Sequence, residues 1–396
     1  MPSASDANVA VRTTQAGWDP IVAGIRADAL DCLQSTVALI ADRAYGPGAH
    51  LALGRHWRFP APGPDGTIGV QPSVQERMAQ AADVLGFTVG GPYGPMDAAG
   101  LRDMADSEPA YVVAEAWDLE WLPYSRAEVR YRQMPHSFLL ERTAGGYTLV
   151  DGYYADTEWG RARPMARTLS AAELDQAVRG EVQVIRMTPG AGLTAPARAA
   201  GIAGNAVAAR RATPAIDAYA GIITARLDRP EGLERLILDI WHLTRERILH
   251  TAWLGDHQAA TRTAAQAARW QQLAAHSYLM MRRAARGAVA SSRLVSQMIQ
   301  LLHDDAELMI SLCDAATITA VVREALGSVL RLDVSQLDDT AALRSLEGFN
   351  SFRLVDVIDL TEARLGTEFP ADADARDLAD LAGLARLFAR AAGSQP

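Results

Sequence analysis

The stretch Asp31-Cys32-Leu33-Gln34-Ser35-Thr36-Val37 opens a run that ends near Arg43-Ala44-Tyr45, and the first half of the chain is organised around it. Leu33, Val37, Ile40 and Ala44 recur at helical spacing, so the run is read as an amphipathic helix. Asp31 is placed to cap that helix, and Gln34 three residues on loosely completes a capping box. Cys32 then falls in the first turn, where unpaired N–H groups and the helix dipole favour negative charge. A cysteine in that place is either a nucleophile or a small packing residue, and the rest of the chain must decide.

Outward from this helix, the bulk properties exclude several classes. At 396 residues the chain is long for one domain, so two or three are expected. A content of 49% hydrophobic and 21% charged residues is that of soluble globular protein. The net charge of -9 argues against a duplex-DNA binder, and no nucleic-acid partner is expected. The sequence contains no lysine, which removes Schiff-base chemistry and a P-loop lysine together. The two cysteines, Cys32 and Cys313, make no disulfide framework. The opening MPSASDANVAVRTT has no basic region followed by a long apolar core, and no apolar run approaches bilayer length. The expectation is a cytoplasmic protein with no membrane contact.

Residues 1–16 read as a disordered lead-in. From 17 to 190 the text is mixed, with helices early and strands late: an α+β domain. Its strand-like runs are Ala110–Ala114, Ser137–Leu140, Tyr147–Val150 and Glu181–Met187, the middle two joined through Gly145-Gly146 as a hairpin. Gly90-Gly91-Pro92-Tyr93-Gly94-Pro95 reads as a turn, since no lysine or strand–helix context makes it a phosphate cradle. Residues 191–314 begin as an Ala-, Gly- and Pro-rich connection and continue as an all-helical extension, with stripes such as Leu233, Leu236, Ile237, Ile240 and Trp241. Residues 317–396 form a small helical-bundle unit carrying 13 acidic residues and 8 arginines, which suits recognition by basic partner surfaces. The scattered histidines His242, His250, His257, His276 and His303 match no ligand spacing, so no metal is expected.

Within the last unit, Gly348-Phe349-Asn350-Ser351-Phe352-Arg353-Leu354-Val355-Asp356, with Leu346 before it and Phe369-Pro370 after it, resembles acyl and peptidyl carrier proteins. The resemblance covers about residues 317–392 and implies 4'-phosphopantetheine bound covalently to Ser351 by a phosphopantetheinyl transferase. Asn350 stands where the family usually has Asp. Without the surrounding pattern, Ser351 would be read as an ordinary N-cap, the commonest role of serine at a helix start.

Cys32, His136 and Asp151 form a second constellation. The proposed hairpin sets His136 at the start of one arm and Asp151 at the end of the other. Cysteine at a helix start, histidine on a strand and a neighbouring carboxylate are the parts of a thiolate–imidazolium nucleophile. Singly, each residue has a plainer role in packing, a satisfied hydrogen bond or a turn. Their order is that of papain-like folds, and Pro135-His136-Ser137-Phe138-Leu139-Leu140 with Leu149-Val150-Asp151-Gly152 resembles the His-to-Asp hairpin of that superfamily. Together with Cys32–Thr36 and Ala268-Arg269-Trp270-Gln271-Gln272-Leu273-Ala274, the pattern over roughly 18–290 resembles the butirosin-type (BtrH-like) acyltransferases. That resemblance implies a papain-like cysteine domain that moves an acyl group from a carrier-protein thioester, its own or a separate one, onto an amine acceptor in natural-product (antibiotic) biosynthesis. An acyl-activating ligase would load the carrier. No glutamine lies shortly before Cys32, and Asp31 beside it opposes negative charge unless it caps the helix or turns away. A thioester-releasing or Dieckmann-type cyclising enzyme with the same triad, and a non-catalytic carrier platform, are the alternatives.

Overall fold

The computed structural model describes residues 17–393, apart from 64–65, 106–107, 124, 126–133, 158–159, 191–197, 228–229, 285, 287–291, 334–336 and 341. The lead-in expected over 1–16 lies outside the described residues. In chain order the elements begin with α1 (Cys32–Tyr45), β1 (Ala61–Pro62), β2 (Ile68–Gly69), α2 (Val74–Leu85), β3 (Thr88–Met96), α3 (Ala98–Met104) and β4 (Ala110–Glu115). Then come β5 (Pro135–Thr143), β6 (Gly146–Asp151), β7 (Ala155–Thr157), β8 (Gly160–Ala162), β9 (Met165–Leu169), α4 (Ala171–Ala177) and β10 (Val182–Thr188). The rest is helical: α5 (Arg198–Arg226), α6 (Pro230–Leu254), α7 (Ala259–Ala284), α8 (Ser292–Leu312), α9 (Ala315–Leu330), α10 (Ser351–Leu365) and α11 (Leu381–Gly393).

The chain divides into two compact units. The first comprises residues 1–54, 71–194 and 248–253 and is α+β. Its six-stranded antiparallel sheet runs β3-β10-β4-β5-β6-β9, and the β5–β6 hairpin turns directly from Thr143 to Gly146. One face of the sheet, through Tyr111, Val113, Leu139, Val150 and Ile185, packs on Val37, Ala38 and Ile40 of α1 and on Met78, Ala81 and Leu85 of α2. Period-two alternation in the strands meets the helical stripe of α1, and burying both apolar faces closes the core. Polar clamps set the helix along β5. Arg43 places Nη1 and Nη2 at 3.0 and 2.9 Å from Glu141, and Trp18 Nε1 donates to the same carboxylate at 2.9 Å. At the other end Ser137 Oγ sits 2.9 Å from the Cys32 carbonyl oxygen.

Gly90–Pro95 is not a turn, as the sequence suggested, but part of the edge strand β3. An edge strand needs ladder hydrogen bonds on one side alone, which tolerates Pro92 and Pro95. Gly91 and Gly94, at φ 102° and 115°, absorb the register shifts against β10.

The second unit comprises residues 55–70, 195–247 and 254–396, and apart from the short β1–β2 pair it is helical. The region read as an Ala-rich connection continues into the 29-residue α5, which accommodates Pro214. Arg247, fully buried, places Nε and Nη2 at 3.0 and 2.6 Å from Asp305 of α8, whose carboxylate also accepts from Gln266 and Trp270. The C-terminal helices α9, α10 and α11 share a core of Val321, Val322, Leu326, Val357, Leu384 and Phe388, into which Ala199 and Ala203 of α5 also pack. Arg210 of α5 donates to the Leu365 carbonyl, and residues 313–314 alone separate α8 from α9. The C-terminal bundle is thus built onto α5 rather than hung from a linker.

Candidate functional site

The capping box read from the sequence forms in full. Asp31 Oδ1 accepts from Gln34 N at 2.7 Å, and Gln34 Oε1 accepts from Asp31 N at 3.4 Å. Cys32 is therefore the first helical residue, half-buried, where backbone N–H groups lack intrahelical acceptors. The conflict expected from Asp31 is removed by a residue that sequence reasoning missed. Arg77 of α2, itself buried, donates from Nε at 3.0 Å and Nη2 at 2.6 Å to Asp31 Oδ2. The carboxylate thus spends one oxygen on the helix cap and the other on a guanidinium.

His136 lies at the start of β5 opposite Ala114 of β4, and it is buried. Its Nε2 lies 2.8 Å from Asp151 Oδ2 at the end of β6. The Cys32 thiol donates to the Pro135 carbonyl at 3.4 Å, one residue from the imidazole. Nδ1 of His136 has no hydrogen-bond partner among the described residues. Burial pushes the imidazole down, but the Asp151 charge, the Asp151 hydrogen bond and the Cys32 side chain overcome it and raise His136 to about 10. The three residues singled out in the sequence are thus brought to one place, with the ring anchored through Nε2 and its buried Nδ1 without a hydrogen-bond partner among the described residues.

Further groups hold this arrangement, and none was singled out from the sequence. Asp151 Oδ2 also accepts from Trp121 Nε1 at 2.7 Å, and Asp151 Oδ1 accepts from Tyr153 N at 2.8 Å. Continuing the β5–β6 register would set Tyr153 opposite His136, and the two rings do meet edge-on with centroids 5.2 Å apart. On α1, Tyr111 OH donates to the Leu33 carbonyl at 3.1 Å. Nothing in the sequence around these aromatic residues separates them from core residues.

Ser351 begins α10 and is exposed, as are Phe352 at 85% and Val355 at 53%. The N-cap is Asn350: its Oδ1 accepts from Phe352 N and Arg353 N, each at 3.0 Å. Capping, the competing role for Ser351, is performed by its neighbour. The hydroxyl stands exposed at the first residue of the helix, where the positive end of the helix dipole favours an attached phosphate. An exposed hydroxyl that is not engaged in capping fits a covalently carried arm.

Among the described residues no three His, Cys, Asp or Glu side chains group to hold a metal ion, and no helix is long and apolar enough to cross a membrane.

Residues 320–387 match the family described as phosphopantetheine attachment site. The C-terminal bundle is therefore a carrier domain, which carries 4'-phosphopantetheine on a serine. A comparison with curated proteins finds no match. The domain places the chain in carrier-dependent biosynthesis, with a phosphopantetheinyl transferase and acyl-loading enzymes among its partners.

Proposed function

We propose that the chain is a cysteine-dependent acyltransferase of papain-like type, moving an acyl group from a carrier thioester through Cys32 to an amine. The observation that supports this best is the state of His136: Nε2 fixed on Asp151, Nδ1 without a hydrogen-bond partner among the described residues, and Cys32 acting on the ring. We assign the arm to Ser351, exposed and relieved of capping by Asn350. When bound there, the arm supplies the thiol on which the acyl group is held as a thioester.

His136 Nδ1 takes the proton of Cys32, and Sγ attacks the thioester carbonyl carbon. The backbone N–H of Cys32, at the start of α1, is one donor to the oxyanion. A new bond forms from Cys32 Sγ to the acyl carbon as the old C–S bond breaks, and His136 would return its proton to the sulfur that leaves. The acceptor amine then attacks the Cys32 thioester, His136 removes the amine proton, and Sγ departs. Asp151 fixes the imidazole tautomer and stabilises its charged form. One thioester replaces another, so the first step is nearly isoenergetic and needs no nucleotide here. Loading falls to a separate acyl-activating ligase.

Intact-protein mass spectrometry of the acyl-loaded holoprotein tests this. Wild type is expected to show the acyl group on both the arm and Cys32, and to yield amide when amine is added. Cys32→Ser should keep the acyl group on the arm, and Ser351→Ala should never gain the arm. Undiminished amide formation by Cys32→Ala would leave a carrier platform. Rapid loss to free acid or a ring without amine would make the enzyme a releasing or cyclising one.

A further inference from the structure

Asp151 is engaged more heavily than orientation of one imidazole requires. Its Oδ2 accepts two donors, His136 Nε2 at 2.8 Å and Trp121 Nε1 at 2.7 Å, while Tyr153 N holds Oδ1 at 2.8 Å. Trp121 itself is held in place by Phe138 of β5, edge to face with centroids 5.2 Å apart. Phe138 is two residues beyond His136 on one strand, so ring, carboxylate and indole form one packed group.

We propose that Trp121 is a positioning residue for the His136–Asp151 pair, its indole N–H sharing Oδ2 with the imidazole and so limiting how tightly the carboxylate keeps the imidazole proton. Two donors on one carboxylate oxygen compete for its charge, and each bond to an ionised acceptor weakens the other's hold. Among the described residues, the ionisable groups acting on His136 are Asp151 at the end of β6 and Cys32 on α1. Across β4 it faces Ala114, and Tyr153 presents a ring edge. Trp121 is thus a neutral lever on an otherwise strong ion pair. For the transfer cycle, on whose reading the benefit rests, a less firmly held proton returns more readily to the departing thiolate.

The test is the pH titration of the His136 ring by NMR in the full chain, which needs no substrate. Trp121→Phe keeps the packing on Phe138 and removes the N–H. The His136 midpoint should move up by about one pH unit, a tenfold gain in proton affinity. In the wild type, the Trp121 indole N–H resonance should shift with the same midpoint as the ring, a second measurement that stands if the variant fails to fold. An unchanged or lowered midpoint in folded Trp121→Phe, or an indole resonance indifferent to the titration, overturns the proposal. Running the same titrations in Cys32→Ala separates the two claims: the Trp121 effect should persist there whether or not Cys32 proves to be the nucleophile.

Discussion

Replacing Arg77 by Met should damage both the fold and the reactivity of Cys32. The guanidinium places Nε and Nη2 on Asp31 Oδ2 at 3.0 and 2.6 Å and Nη1 on Gln80 at 2.8 Å, and both members of the ion pair are buried. Arg77→Met keeps much of the apolar stem, so the loss is concentrated in the charge. Removing one partner of a buried ion pair typically costs about 3–5 kcal/mol, because the other charge stays buried and unpaired. Against a typical stability of about 5–15 kcal/mol this is a large fraction. The double variant Asp31→Asn/Arg77→Met removes both charges and keeps an N-cap acceptor at position 31. It should therefore be less destabilised than Arg77→Met alone. Urea denaturation gives the stabilities, and alkylation by iodoacetamide, read by intact mass, reports Cys32. In Arg77→Met the adjacent uncompensated carboxylate should slow alkylation, and the double variant should recover part of the rate. A loss below about 1 kcal/mol in Arg77→Met, with alkylation unchanged, would refute the claim that Arg77 neutralises Asp31.

Asn350→Ala should cost about 1 kcal/mol of carrier-domain stability through the lost cap, whereas Asn350→Asp should retain it; thermal melts distinguish them. Gly366→Ala places a Cβ 2.8 Å from Val207 Cγ2 at φ 61°, so the packing of the carrier domain on α5 should loosen by 1 kcal/mol or more (about the size of other strained-glycine changes), seen as faster amide exchange in both. His136 is raised from 6.5 to about 10 in the fold, so the stabilisation from its pair with Asp151 should be complete below about pH 6.5 and fade as pH climbs towards 10. Comparing the pH dependence of wild type and Asp151→Asn, which should lack that alkaline loss, checks the sign. Because residues 313–314 alone join α8 to α9, limited proteolysis should leave that junction intact.

The features that could be read from the sequence were those with a local signature. Asp31 and Gln34 announced their capping box, and two strand-like runs joined through Gly145-Gly146 gave the hairpin that carries His136 and Asp151. Arg77 and Trp121 were not legible, because each acts across tens of residues through a contact that the fold alone creates, and the ring contact of Tyr153 with His136 likewise exists only once the hairpin is formed. Gly90–Pro95 misled for a physical reason: glycine and proline mark turns by propensity, but at a sheet edge the ladder on one side suffices. Ser351 was legible through its surroundings, yet the division of labour with Asn350 needed the helix start in three dimensions.

Under the proposed function, Cys32 and His136 work as one nucleophilic pair. The most direct test of that pairing is the pH profile of Cys32 alkylation by iodoacetamide in wild type and His136→Ala, between pH 5 and 9. Wild-type reactivity should stay nearly level into the acid range, while His136→Ala should lose about tenfold per pH unit below the ordinary thiol range. Superimposable profiles in the two proteins would contradict it.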